Sequence, residues 1–162
     1  MLLLKNILFT VLVPGTAVVL LPYLVLGPSG RSTPEPWGAP QLAAVPLAAA
    51  GLLIYLSCLW DFARRGRGTP APIDPPRVLV VEGLYRYVRN PMYVGVFLVL
   101  LAEVLFFESR ALALYIVGWS VFVNLFVILY EEPALRRRFG FSYEEYRRAV
   151  RRWVPGRAYR RA

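Results

Sequence analysis

The sequence predicts an all-α integral membrane protein with about four transmembrane helices, the last two forming a tight hairpin, and a C-terminal cytoplasmic amphipathic helix. Of its 162 residues, 57% are hydrophobic and only 18% are charged. Soluble domains usually have about 45–50% apolar and about 25% charged residues. The apolar residues also lie in long runs, several near the length of about 20 residues that a spanning helix needs.

Composition also excludes several classes of protein. The aromatic fraction of 14% is far from that of a disordered chain. Cys58 is the single cysteine, so an internal disulfide and a cysteine-cluster zinc site are excluded. The chain has no histidine, which is the commonest general base and metal ligand. We therefore expect one domain over residues 1–162, with no metal and no serine-protease-like or zinc-hydrolase chemistry.

Four apolar segments are candidate spans, at about residues 6–26, 41–60, 92–107 and 111–130. The first contains Pro14 and Pro22, and we expect a kink there because neighbouring groups can satisfy the freed carbonyls. A signal peptide is the alternative for this segment, although it is long and no clear cleavage site follows it. Only residues 108–110 separate the last two segments, which predicts an antiparallel hairpin.

The basic residues set the expected orientation. In this arrangement 17 of the 19 lie on one side of the membrane, and only Arg31 and Arg110 lie on the other. The positive-inside rule then places both termini, the loop 61–91 and the tail 131–162 in the cytoplasm. The net charge of +9 is explained by topology and anionic lipids, and no nucleic-acid-binding motif is present. Arginine outnumbers lysine 18 to 1, which favours a bacterial inner membrane.

The loop 61–91 is either a flexible linker or a functional segment. Its prolines and glycines between residues 66 and 76 exclude a helix there. Asn90 and Pro91 predict the start of the third span, since Asn favours the N-cap and Pro the first helical position. The free N–H groups beside Arg86 and Arg89 suit a carboxylate or phosphate. The simpler alternative is a capped helix with arginines reaching the interface.

Glu131 and Glu132 follow the fourth span, at a helix end where acids are disfavoured. They either pair with arginines of the tail or loop, or accept hydrogen bonds from ligand hydroxyls or an ammonium. The stretch 134–150 predicts a basic amphipathic helix on the membrane surface, which Gly140 can break. Trp153 is a candidate interface anchor.

Two spaced patterns carry a resemblance to a known family. They read Gly83-x-Tyr85-x-x-x-Arg89-x-Pro91-x-Tyr93, then Glu131-Glu132-x-x-Leu135-x-x-x-Phe139-Gly140-x-x-Tyr143-x-x-Tyr146. Together they resemble the integral-membrane methyltransferases of the isoprenylcysteine carboxyl methyltransferase family, which includes phospholipid methyltransferase-like members. The resemblance covers roughly residues 66–155.

The resemblance implies S-adenosylmethionine as methyl donor, held at the cytoplasmic ends of the last helices. Carried over by position, the cofactor-binding residues would be Arg77, Val78, Leu79, Val80, Tyr85, Asn90, Pro91, Met92, Tyr93 and Glu131. Arg89 suits the donor's carboxylate and Glu131 its diol or ammonium, so these two are the candidate catalytic residues, acting by positioning. Methyl transfer is an in-line displacement that needs no metal and no covalent protein nucleophile, and alignment supplies much of its rate.

The chain departs from the family pattern at two positions. Asn90 stands where the motif often has histidine, so it can bind but cannot shuttle a proton. Val127 stands where some carboxyl-methylating relatives carry arginine, which argues against a prenylcysteine carboxylate as acceptor.

The expected partner is a lipophilic acceptor that enters from the bilayer. A soluble acceptor would not require membrane spans, whereas the soluble donor would enter from water. Tyr143, Tyr146, Arg148 and Arg152 are candidates to hold the polar head of the acceptor.

Two alternatives remain at this stage. One is a non-catalytic membrane scaffold of the same fold, which the departures at Asn90 and Val127 favour. The other is a nicotinamide-dependent reductase related to larger sterol reductases. That alternative is weaker because 162 residues leave little room for both ligands and no G-x-G-x-x-G motif is present.

Overall fold

The computed structural model describes residues 2–28, 30, 35–66 and 78–159, with side chains at 7–28, 30, 35–64 and 78–159. This part of the chain is helical and contains no strand. Its α-helices are α1 (Leu2–Leu12), α2 (Leu21–Leu26), α3 (Ala39–Asp61), α4 (Pro91–Phe107), α5 (Arg110–Phe126) and α6 (Glu132–Ala149). Three π-helical turns (Thr16–Leu20, Phe62–Gly66, Val127–Glu131) and a 3₁₀ turn (Gly83–Arg86) complete the helical structure. The predicted all-helical class is confirmed.

Three helical stretches are long and apolar enough to cross a membrane. They are Ile7–Leu26, Ala39–Arg64 and Arg110–Ala149, the last of which joins α5 to α6. Helix α4 is apolar but has 17 residues, so it is only about 26 Å long at about 1.5 Å per residue. The hydrocarbon core of a bilayer is about 30 Å thick. The prediction of a membrane protein is therefore confirmed. That α4 also crosses the membrane stays a prediction.

The first apolar run is helical on both sides of its prolines. A π-helical turn, Thr16–Leu20, follows Pro14, and the Thr16 hydroxyl donates to the Leu12 carbonyl over 2.6 Å. Pro22 lies in the first turn of α2, but the helix continues into it from the π-helical turn, so its missing N–H removes one helical hydrogen bond. The irregularity predicted from the two prolines is therefore a π-helical turn.

Helices α3 and α4 make the closest contact in the fold. A Cβ added to Gly51 would lie 2.6 Å from the Gly95 carbonyl oxygen, and one added to Gly95 would lie 2.8 Å from the Gly51 carbonyl oxygen. The two backbones therefore touch, as small residues allow between membrane helices. Tyr55, Val96, Leu100 and Ile116 form a buried core cluster beside this contact.

Helices α4 and α5 are joined by Glu108 and Ser109 alone, as the short break in the apolar runs predicted. Glu108 has a positive φ of 46°. The Ser109 hydroxyl accepts a hydrogen bond from the Leu112 N–H over 3.3 Å and caps α5. This tight turn keeps the two helices antiparallel.

Helix α6 is interrupted at Gly140, whose φ of 52° and ψ of −125° are not helical. Gly140 therefore breaks the predicted helix, as a residue free to adopt positive φ can. Beyond the break, Tyr143, Tyr146 and Val150 are buried in a cluster with Val81. The apolar stripe thus packs on the protein itself, and any contact of α6 with the bilayer stays a prediction.

Residues 150–159, which we name the C-terminal strap, return along the loop that precedes α4. The Arg89 N–H donates to the Arg151 carbonyl, and the Gly156 N–H donates to the Tyr87 carbonyl, both over 2.9 Å. A side-chain bond adds to these contacts, because the Arg86 Nε donates to the Tyr159 carbonyl over 3.1 Å. The strap therefore fixes the segment that leads into α4.

Replacing Gly95 with alanine should destabilise the protein by about 1–3 kcal/mol, the usual cost of overpacking. The added methyl group would press on backbone atoms of α3, which cannot rotate away. Thermal unfolding of the purified protein measures the effect. Gly118→Ala in α5 is the matched control, since its added Cβ has nothing within 4 Å. Equal unfolding temperatures for the two variants would contradict the backbone contact.

Candidate functional site

A cavity of about 520 Å³ lies between the N-terminal helical run, the segment before α4 and helices α3, α4, α5 and α6. Its volume lies in the usual range for small-molecule sites, which is about 300–1,000 Å³. At one end the wall is apolar, formed by Val13, Ala17, Val96, Trp119 and Val123 among others. At the other end it carries Arg89, Asn90, Tyr93, Glu131 and Arg138. The cavity therefore joins an apolar region to a polar one.

Glu131 and Glu132 have separate environments, although they are adjacent in the chain. The π-helical turn Val127–Glu131 ends at the first acid, and α6 begins at the second. Successive helical residues point about 100° apart. Glu131 lines the cavity and accepts a hydrogen bond from the Tyr93 hydroxyl over 3.0 Å. Glu132 does not line the cavity and is buried elsewhere.

Glu132 is paired with two arginines. The Arg152 Nε and Nη2 donate to its two carboxylate oxygens over 2.7 and 3.2 Å. The Arg89 Nη1 lies 3.0 Å from Glu132 Oε1, and these two side chains are only 10% and 9% exposed. The hydrogen bond to Glu132 raises the pKa of Arg152 above its ordinary value. The ion-pair alternative therefore holds for Glu132, and Glu131 is the acid that faces the cavity.

Arg89 has one donor that forms no hydrogen bond with the described residues. Its Nε is buried and has no hydrogen-bond partner in the part of the chain that the structure describes. Its Nη1 is in ion-pair contact with Glu132. Most buried donors in folded proteins have a partner, so the unpaired Nε in a cavity wall indicates a place for a ligand acceptor. Arg89 lines the same cavity as Glu131.

The predicted start of α4 is confirmed at Pro91, but the side chain of Asn90 does not cap the helix. Instead the Asn90 amide donates to the Arg152 carbonyl of the C-terminal strap over 3.3 Å. Asn90 is therefore the N-cap residue, as predicted, but its side chain makes no cap hydrogen bond. Asn90 is buried and also lines the cavity.

Aromatic side chains pack and form hydrogen bonds around the polar end of the cavity. The Tyr93 ring contacts Trp153 edge-on, with centroids 6.4 Å apart, and the Trp153 indole donates to Asn124 Oδ1 over 3.0 Å. The Tyr146 hydroxyl donates to the Tyr85 carbonyl over 2.6 Å. Burial raises the pKa of Tyr85 well above its ordinary value, so its hydroxyl stays neutral. These contacts fix the rings of the wall before any ligand binds.

The structure brings most of the sequence-predicted residues to this cavity. Those that line it are Leu79, Val80, Tyr85, Arg89, Asn90, Met92, Tyr93, Glu131, Tyr143 and Tyr146. Val78, Pro91, Arg148 and Arg152 are described but do not line it. Arg148 is exposed, whereas Arg152 is bonded to Glu132. Arg77 lies outside the described residues.

Several cavity residues are absent from the sequence prediction. Leu135, Arg138 and Phe139 follow Glu131 at helical spacing, a signal that could have identified them. The apolar residues of the first and fourth spans offer no such signal, because their facing depends on how the helices pack. Val127 is 1% exposed and does not line the cavity.

The sequence matches a family of known proteins. The family model for phospholipid methyltransferases matches residues 40–142, which take in α3, α4, α5 and part of α6. A protein-S-isoprenylcysteine O-methyltransferase from Schizosaccharomyces pombe is 38% identical over 80 residues, 48% of this chain and 33% of that protein. The match therefore spans a third of the length of that relative.

A second relative is an uncharacterized protein from Haemophilus influenzae. It is 35% identical over 63 residues, which are 39% of this chain and the whole of that protein. No solved structure matches the chain. The family model covers well over half of the sequence, and the resemblance noted from the motifs is confirmed. The chain belongs to the phospholipid methyltransferase family.

Proposed function

We propose that this protein transfers a methyl group from S-adenosylmethionine to a lipophilic acceptor at the cytoplasmic boundary of the membrane. One observation carries the proposal. A single cavity reaches from apolar, membrane-level side chains to a polar end that holds Arg89 and Glu131. In a methyltransferase family, such a cavity suits a soluble donor at the polar end and a hydrocarbon acceptor at the apolar end.

The polar end fits the chemical groups of S-adenosylmethionine. The free Nε of Arg89, beside the start of α4, suits a carboxylate. Glu131 suits ribose hydroxyls or an ammonium, and the Tyr93 and Tyr85 rings suit the sulfonium or the adenine. When bound, the donor supplies a methyl carbon that is already activated by the positive sulfur.

The contribution of the chain is alignment. Tyr93 holds Glu131 through its hydroxyl, and Trp153 holds the Tyr93 ring, so the acid has a fixed direction. Positioning the reactants can lower the activation barrier by about 7–11 kcal/mol in favourable cases. Asn90 cannot accept a proton from the acceptor, since an amide is not a base. Glu131 is the carboxylate of the cavity wall within the described residues, so it would receive a proton released by an amine acceptor.

The acceptor would enter from the bilayer. Tyr143 and Tyr146 lie in the cavity wall, where their hydroxyl edges suit a polar head. Arg148 and Arg152 lie outside the wall, and their role in binding the acceptor stays a prediction. The arginine distribution supports cytoplasmic termini. The excess of arginine over lysine, 18 to 1, is the observation that favours a bacterial membrane.

Replacing Glu131 with alanine should weaken S-adenosylhomocysteine binding by roughly 10- to 100-fold. A hydrogen bond to a charged group contributes about 1.5–3 kcal/mol, which sets this range. Tyr93→Phe should weaken binding less, by about fivefold, because it removes only the hydroxyl that orients Glu131. Isothermal titration of the purified protein measures both effects.

Glu145→Gln is the charge-matched control, since Glu145 is exposed and does not line the cavity. Wild-type affinity in Glu131→Ala, with the protein folded, would contradict the cofactor assignment. Absence of binding in the folded wild type would also contradict it and would favour the non-catalytic scaffold.

Glu132→Gln should destabilise the protein by about 3–5 kcal/mol, because it leaves the buried Arg89 without its counter-charge. It should also weaken S-adenosylhomocysteine binding, since Arg89 would no longer be held in the wall. Glu144→Gln is the matched control on the same helix. Glu144 also contacts two arginines, but its side chain is 30% exposed, so its loss should cost less than about 1 kcal/mol. Similar denaturation curves for the two variants would contradict the buried network.

A further inference from the structure

The apolar part of the cavity lies beside contacts between the first and fourth spans. Trp119 and Ala17 both line it. One helical turn before Trp119, the Tyr115 hydroxyl donates to the Ala17 carbonyl over 2.7 Å. Trp119 and Tyr115 also pack on the buried core cluster of Tyr55, Val96, Leu100 and Ile116. Trp119 is therefore held against the bundle, and along the chain it is the cavity residue of the fourth span that lies farthest from Glu131. We name it the floor.

A second hydrogen bond ties the first span to the bundle nearer the other end of the cavity. The hydroxyls of Thr10 and Tyr55 lie 2.9 Å apart. Thr10 is seven residues from Ala17, about 10 Å along a helix at about 1.5 Å per residue. The first span is thus hydrogen-bonded to the bundle at two positions, Thr10 and Ala17. These two bonds hold its side of the cavity in place.

The length of the apolar part of the cavity can be read from the sequence. Trp119 precedes Glu131 by twelve residues of continuous helical structure, which is about 18 Å at about 1.5 Å per residue. An extended chain advances at most about 3.5 Å for every three bonds. The space between the floor and Glu131 therefore accommodates about fifteen bonds of an extended chain.

The side chains along this length are apolar. From the fourth span they are Trp119, Phe122, Val123 and Phe126, and from the first span they are Phe9, Val13, Pro14 and Ala17. No charged group lines the cavity between Trp119 and Tyr130 on the fourth span. A polar chain would lose its hydrogen bonds there, whereas a hydrocarbon chain loses nothing.

We propose that Trp119 is a specificity-determining residue that sets the length of a single hydrocarbon chain in the acceptor. The length of about fifteen bonds is shared between the head group and the chain, so the position of Trp119 limits how long the chain can be. A longer chain would have to bend or displace the indole ring. The proposal rests on the proposed function for the identity of the acceptor's reacting end, but the chain preference itself can be measured without methyl transfer.

The test offers the protein an equimolar mixture of saturated lysophosphatidylethanolamines, from about 8 to about 18 carbons. The protein is held in amphipol so that no detergent chain competes, and native mass spectrometry reads the bound species. Wild type should favour one chain length, at least tenfold over chains four carbons longer. Trp119→Ala should move the maximum to longer chains by two or more carbons.

Ala17→Leu fills the same end of the cavity and should move the maximum to shorter chains. It keeps the test decisive if Trp119→Ala fails to fold. Trp60→Ala is the matched control, because Trp60 is 61% exposed and does not line the cavity. It should leave the profile unchanged. A flat wild-type profile, or one that neither cavity variant moves, would overturn the proposal.

Titration of the same samples with S-adenosylhomocysteine separates this proposal from the proposed function. A chain-length maximum that moves with Trp119→Ala supports the floor, even if S-adenosylhomocysteine does not bind. Normal S-adenosylhomocysteine binding with a flat profile overturns the floor and leaves the cofactor assignment intact.

Discussion

The buried pairing of Glu132 with Arg89 and Arg152 is the interaction on which the site depends. It joins three separate parts of the chain: the segment before α4, the first turn of α6 and the C-terminal strap. A buried ion pair is favourable only when hydrogen bonds and geometry offset the loss of solvation. Here the two-point contact from Arg152 provides that geometry. Once the pair is formed, the strap lies beside Asn90 and places Trp153 against Tyr93.

The two adjacent acids have different roles: Glu132 stabilises the fold, and Glu131 faces the ligand cavity. Glu132 neutralises the arginines that surround it, so that a cluster of positive charge can be buried. Glu131, turned toward the cavity, has Tyr93 as its hydrogen-bond donor and keeps acceptor capacity for a ligand. Arg89 belongs to both groups, because its Nη1 faces Glu132 while its Nε has no hydrogen bond among the described residues. The same guanidinium can therefore be anchored by the fold and also contact a bound anion.

Much of this arrangement follows from local sequence. Pro91 begins α4, and the short break at Glu108 and Ser109 makes a hairpin, because both signals act within a few residues. The facing of Glu131 and Glu132 could not be predicted, since both alternatives fit adjacent acids until their partners were placed. The side chain of Asn90 and the course of the strap depend on residues about 60 positions away, which no local pattern encodes. The floor at Trp119 likewise depends on how the first span packs.

In the proposed function, Glu131 and the free side of Arg89 together bind the methyl donor. An electron cryomicroscopy or crystal structure with S-adenosylhomocysteine tests it most directly. We expect the ligand in the cavity, within hydrogen-bond distance of Glu131 and of the Arg89 Nε, with the Glu132 pairs to Arg89 and Arg152 intact. Ligand bound elsewhere, or Glu131 paired with an arginine of the protein while Glu132 faces the ligand, would contradict the account.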